Sequence, residues 1–148
     1  MNLQLHTRRL IATGLVAAAG AIGFAGTAQA VSSNGCTAVP LTPSFSHVDS
    51  TGNRILKYTF HLSCSAGRTA TVQHQIRERD LFGSDLISNA TYTKSFAAAG
   101  VTSVSYYAAV PDTEPGGEEM YHRLRLRVIL FGVPQSWTGW HNSAVVNT

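Results

Sequence analysis

Three arginines at alternate positions, Arg123, Arg125 and Arg127, form the most specific polar pattern in the chain. On a strand such residues project from one face, about 7 Å apart. A row of this kind can grip phosphate, sulfate or carboxylate groups through two-pronged guanidinium bonds. The competing reading is a solvated face balanced by acidic neighbours, with Glu78, Asp80 and the segment 112–119 as the available counterions. Arg77 and Arg79 would extend the row if their strand lies beside it. A second candidate surface is Trp137-Thr138-Gly139-Trp140, with Tyr106 and Tyr107 as possible companions. Tryptophan suits stacking against sugar rings or a protein partner. Packing of the last strand is the alternative use for both tryptophans.

The remaining polar residues are less specific. Five histidines follow residue 30: His47, His61, His74, His122 and His141. His74 and His122 fall in phase with apolar neighbours, so they can meet in or near a core. There they would act as hydrogen-bonded core residues, or as a general base beside Asp80 or Asp85. No HExxH pattern or zinc-like histidine spacing occurs, so no metal site is assigned. Asp112, Glu114, Glu118 and Glu119 crowd one segment, but their spacing matches no EF-hand, and Pro115-Gly116-Gly117 reads as a turn. Gly-x-Ser-x-Gly is absent, and Gly83-Ser84-Asp85-Leu86 is no nucleophile turn. No phosphate-cradling glycine loop is present. Asn89-Ala90-Thr91 matches a glycosylation acceptor. No catalytic residue and no cofactor are assigned.

These residues belong to a chain of 148 with a formal charge of +3, 13% charged residues and two cysteines. The low charged fraction argues against a disordered or coiled-coil chain. The first thirty residues read as an address. Met1–Arg9 carries Arg8 and Arg9 without an acidic residue, Leu10–Gly26 is uncharged and rich in Ala and Gly, and Ala28-Gln29-Ala30 is a small-x-small cleavage signal. That order is a secretory signal peptide. The uncharged stretch is too short and glycine-diluted for a stable membrane anchor. Thr7-Arg8-Arg9-Leu10-Ile11 also fits a twin-arginine signal, so both the Sec and the twin-arginine routes stay open. Alanine richness and the excess of Arg over Lys suggest a bacterial source.

The mature chain is then 31–148. It keeps nine Lys and Arg against eight Asp and Glu, a net of +1. Most of the basic excess departs with the leader, and with it the dense footprint that nucleic-acid binding requires. Cys36 and Cys64 enter oxidising territory, where a disulfide between them persists. Closing that loop would stabilise the fold by roughly 3–4 kcal/mol.

Positioning falls to strands. No window of twelve residues in the mature chain keeps a 3.6-residue apolar period, whereas period-two alternation recurs. Arg54–Cys64 sets Leu56, Tyr58, Phe60, Leu62 and Cys64 against Lys57, Thr59, His61 and Ser63. Thr69–Arg79 sets Ala70, Val72, His74 and Ile76 against Thr71, Gln73, Gln75 and Arg77. Tyr121–Phe131 sets His122, Leu124, Leu126, Val128 and Leu130 against the three arginines, and Gly132-Val133-Pro134 ends it. Weaker strands are expected over Thr91–Phe96 and Thr102–Val110, with others within Cys36–His47 and Trp137–Val146, six to eight in all. The sequence therefore predicts one all-β domain, an antiparallel β-sandwich of immunoglobulin-like type with one disulfide, or else a small β-barrel or jelly roll. Function follows less directly, because architecture does not fix it. The expectation is a secreted, non-enzymatic binding module for a protein, glycan or small-molecule partner outside the cell. The rivals are a small hydrolase built on His74 or His122, and a small-ligand carrier with an apolar cavity.

Overall fold

Strands that alternate apolar and polar residues must bury their apolar face against other elements or by curling the sheet on itself. The computed structural model describes residues 28–80, 83–111 and 117–148 and shows two antiparallel sheets arranged in this way. The chain order is β1 (Val31–Ser33), β2 (Cys36–Pro40), β3 (Ser44–Val48), β4 (Arg54–Cys64), β5 (Arg68–Asp80), β6 (Gly83–Phe96), β7 (Gly100–Ala109) and β8 (Glu119–Leu130). Three short rungs follow: β9 (Val133–Pro134), β10 (His141–Asn142) and β11 (Val146–Asn147). The described residues contain no helix. Residues 1–27, which hold most of the expected leader, lie outside the described residues, as do Asp112, Glu114, Pro115 and Gly116 of the acidic segment.

In the first sheet β4 is central. β2 and β3 pair in succession along one of its edges, β1 adds to β2, and β7 lies along the other edge. In the second sheet β8 and β5 are central, β6 closes one side, and β9, β10 and β11 line the outer edge of β8. The inner faces share a core in which Ala38, Phe60 and Leu62 of the first sheet meet Ala70, Val72, Leu124, Leu126 and Val128 of the second. Leu56, Tyr58, Ile76 and Met120 form a smaller cluster toward the other end. Cys36 and Cys64 are cross-strand partners in the β2–β4 register and are joined as a disulfide.

Strand extents depart from the sequence reading where pairing overrides local signals. The first candidate strand is broken at Leu41–Pro43 into β2 and β3: pairing with β4 continues past Pro40 to Leu41, and Pro43, which has no N–H to donate, lies in the break. β6 starts at Gly83, well before Thr91, because it pairs with β5 along its whole length. The last strand begins at Val133 and is interrupted between its three rungs.

Gly132-Val133-Pro134 also does more than end a strand. Phe131 and Gly132 are a two-residue hairpin turn with φ of +49° and +81°, and β9 runs back along β8. Both positive angles are those of a type I′ turn, which favours Asn-Gly. Phe131 adopts them while 99% exposed, so it has backbone strain and no packing in return. Phe131→Asn should raise stability by about 1 kcal/mol, read as a higher urea midpoint at unchanged slope. A lower midpoint would show that the aromatic ring contributes something beyond this turn.

Candidate functional site

The pleat of β8 points Arg123, Arg125 and Arg127 outward while Leu124, Leu126 and Val128 enter the core. The segment after the Phe131-Gly132 turn returns antiparallel along the same edge and brings both tryptophans onto this face. The Trp140 ring lies 4.5 Å from the Arg123 guanidinium and 4.8 Å from that of Arg125. The Trp137 ring lies 4.8 Å from Arg125 and 4.6 Å from Arg127. The order across the face is therefore Arg123, Trp140, Arg125, Trp137, Arg127. The basic row and the aromatic pair, separate candidates in the sequence, form one interleaved ladder of cation–π contacts.

The neighbouring strand fixes the arginines from the side. In the β5–β8 register Gln75 faces Arg123 and Gln73 faces Arg125. Arg123 Nε donates to Gln75 Oε1 at 2.9 Å, and Arg125 Nε donates to Gln73 Oε1 at 2.7 Å. Gln73 Nε2 in turn donates to Asn89 Oδ1 on β6 at 3.3 Å. Arg127 faces Thr71, and its Nε is enclosed without a hydrogen-bond partner among the described residues. Arg77 does extend the basic face, since its strand adjoins β8. It donates from Nε to Ser84 Oγ at 2.9 Å and from Nη1 to Gln75 Oε1 at 3.4 Å.

Of the acidic neighbours expected for this face, Asp112 and Glu114 lie outside the described residues. Glu78 is buried on the inner side of β5, and Glu119 lies 3.9 Å from Arg79 at an exposed position. Asp49 is committed to the β3–β4 turn, accepting from Thr51 and Asn53. Tryptophan rings and glutamine amides hold Arg123 and Arg125 in place. Burial, then repulsion from Arg77 and Arg125, pulls Arg123 below the ordinary arginine range, with Tyr121 acting in the opposite sense. A hollow of about 490 Å³ adjoins this face and is lined by Arg79, Ser84, Tyr121, Asn142 and Ser143. Among the described residues, no cluster of three or more His, Cys, Asp or Glu could hold a metal ion.

His74 and His122 meet, as their phase allows, but inside the core. They are 1% and 0% exposed. His122 Nε2 donates to the Leu41 carbonyl at 2.6 Å, so its Nδ1 is the acceptor for His74 Nε2 at 2.8 Å. Tyr106 stacks on His74 with centroids 4.7 Å apart, and Tyr58 meets His122 edge-on at 5.7 Å. The Tyr58 hydroxyl is buried with no hydrogen-bond partner among the described residues, and burial raises its pKa. The pair thus forms a polar layer between the two apolar clusters. Leu41, whose carbonyl completes it, sits in the break between β2 and β3 and carries no signal in the sequence.

Burial, reinforced by repulsion from His122, lowers the His74 pKa to about 3. Burial lowers that of His122 to about 4, opposed by its bond to Leu41. Both values fall below the ordinary 6.5, so between about pH 6.5 and 4 the unfolded chain binds more protons than the folded one. Stability should be level above pH 7 and fall below pH 6.5, by up to about 1.4 kcal/mol per pH unit for each histidine. Urea unfolding at pH 7.5, 6 and 5 checks this, and equal stability at all three would contradict a neutral buried pair. Comparison with known proteins gives no match: no family model, no curated protein and no solved structure resembles the chain.

Proposed function

We propose that the protein is an exported, non-enzymatic binding module of immunoglobulin-like sandwich type that holds an acidic polysaccharide across the outer β5–β8 face. The observation that carries this reading is the ladder of Arg123, Arg125 and Arg127 interleaved with Trp137 and Trp140. Each guanidinium is stacked through its flat face and, for Arg123 and Arg125, tied through Nε to a glutamine, which leaves the outer N–H edge for a ligand. Side chains so held lose little rotamer freedom on binding. Arginines spaced about 7 Å apart along a strand suit a chain with repeated carboxylate or sulfate groups. Such a ligand would also relieve the mutual repulsion of Arg77, Arg123 and Arg125.

Export is supported by the basic, apolar and small-residue order of residues 1–30 and by the Cys36–Cys64 disulfide. No helix among the described residues is long and apolar enough to cross a membrane. The hydrolase reading loses its support, because a general base must reach substrate and both histidines are enclosed and neutral. The carrier reading gains none, since the hollow beside the ladder is open and lined largely by polar side chains.

The test is retention on immobilised heparin and on polygalacturonate at low salt. The expected result is retention that weakens steeply as salt rises, and that Arg123→Ser with Arg125→Ser reduces at least about tenfold with the far-UV spectrum preserved. The corresponding lysine pair should keep part of the salt-dependent attraction while losing the planar grip. A wild-type protein that ignores both polymers at low salt would end this proposal.

A further inference from the structure

A sheet edge exposes unpaired N–H and C=O groups, and stable proteins blunt such edges with charges, prolines, bulges or short strands. Most edges here follow that rule. β1, β9, β10 and β11 are two or three residues long, and β9 contains Pro134. β3 has a register shift between Phe45 and His47. β6 carries Asp85 and Lys94, with a shift in its pairing at Ile76/Arg77. β7 has none of these devices. Its ten residues, Gly100–Ala109, include no charge and no proline, and its pairing with β4 is unbroken throughout. β4 is its only hydrogen-bonded neighbour among the described residues.

The polarity of this edge follows from the register. Val110 N–H donates to the Arg54 carbonyl of β4, so even-numbered residues of β7 turn their backbone groups toward β4. Val101, Ser103, Ser105, Tyr107 and Ala109 therefore present theirs to the free edge, and all five are exposed. A second observation falls on the same side of the molecule. The inward side chains Val104, Tyr106, Ala108 and Val110 reach the core but stay only partly buried, as do Tyr92 and Ile87 of β6. The open edge runs beside an apolar seam that β7 by itself leaves unsealed.

We propose that β7 is a dimerisation edge that pairs antiparallel with β7 of a second copy of this chain. A two-fold axis through Ser105 sets Ser105 opposite itself, Ser103 opposite Tyr107 and Val101 opposite Ala109. Every one of these residues has its backbone groups directed at the free edge, so each opposed pair exchanges both its hydrogen bonds. The same register sets Tyr106 opposite Val104 on the inner face and extends the apolar seam across the axis. An uncharged strand meets its own copy without repulsion, and the isologous contact closes at two subunits instead of growing into a fibre.

Sedimentation equilibrium of the purified full chain, at about 1–100 μM, tests the inference. The expected result is a monomer–dimer equilibrium that Ser105→Lys weakens at least about tenfold, since it places two ammonium groups at the axis. Ser105→Pro should do the same by removing an edge donor, in a position where a monomer tolerates proline. Thermal unfolding of each variant at monomer concentration reports whether it still folds, and one folded variant suffices. A wild type that stays monomeric at about 100 μM overturns the inference, as does a dimer indifferent to the folded variants. Capture of a foreign strand by a monomeric protein would likewise overturn the second copy as its occupant.

Discussion

The pleat of β8 is the constraint on which the rest of the molecule depends. Successive side chains must point to opposite faces, so one stretch of twelve residues supplies both the centre of the core and the basic face. Leu124, Leu126 and Val128 are fully buried against the first sheet, while Arg123, Arg125 and Arg127 stand outside. A slip of one residue in the β5–β8 register would drive three guanidiniums inward and expose the leucines. The apolar burial that stabilises the fold therefore also fixes where the arginines stand, with no separate device.

The ladder on that face has a structural role as well. Between β9 and β11 the returning chain pairs with β8 only intermittently, through Gln135 N–H to the Val128 carbonyl, Thr138 N–H to that of Leu126 and Ser143 N–H to that of His122. Trp137 and Trp140 span the interruption by stacking on the arginines. Arginine gives up its flat face to the ring and retains its donor edge, so the contact that fastens the last segment leaves the charge available.

The histidine layer shows the opposite use of polar groups. Placed between two apolar clusters, His74 and His122 satisfy each other and the Leu41 carbonyl, and burial keeps them neutral. Two residues of a type common in catalysis are here part of the core. What separates the two uses is access and a partner to polarise the ring, and neither can be read from a residue's type.

The sequence by itself determined the all-β class, the extents of β4, β5 and β8 to within a residue or two, which of their side chains turn inward, and the only available disulfide. These follow from alternation between residues two apart and from there being just two cysteines, both local or exhaustive kinds of information. The tertiary structure decided what depends on register between distant strands. It interleaved Trp137 and Trp140 with arginines ten or more positions earlier, placed glutamines of β5 beside them, and set His122 against His74. Among the described residues it also left β7 as the one long edge without a guard. Strand pairing is selected by the packing of both sheets together, so no residue's immediate neighbours carry that choice.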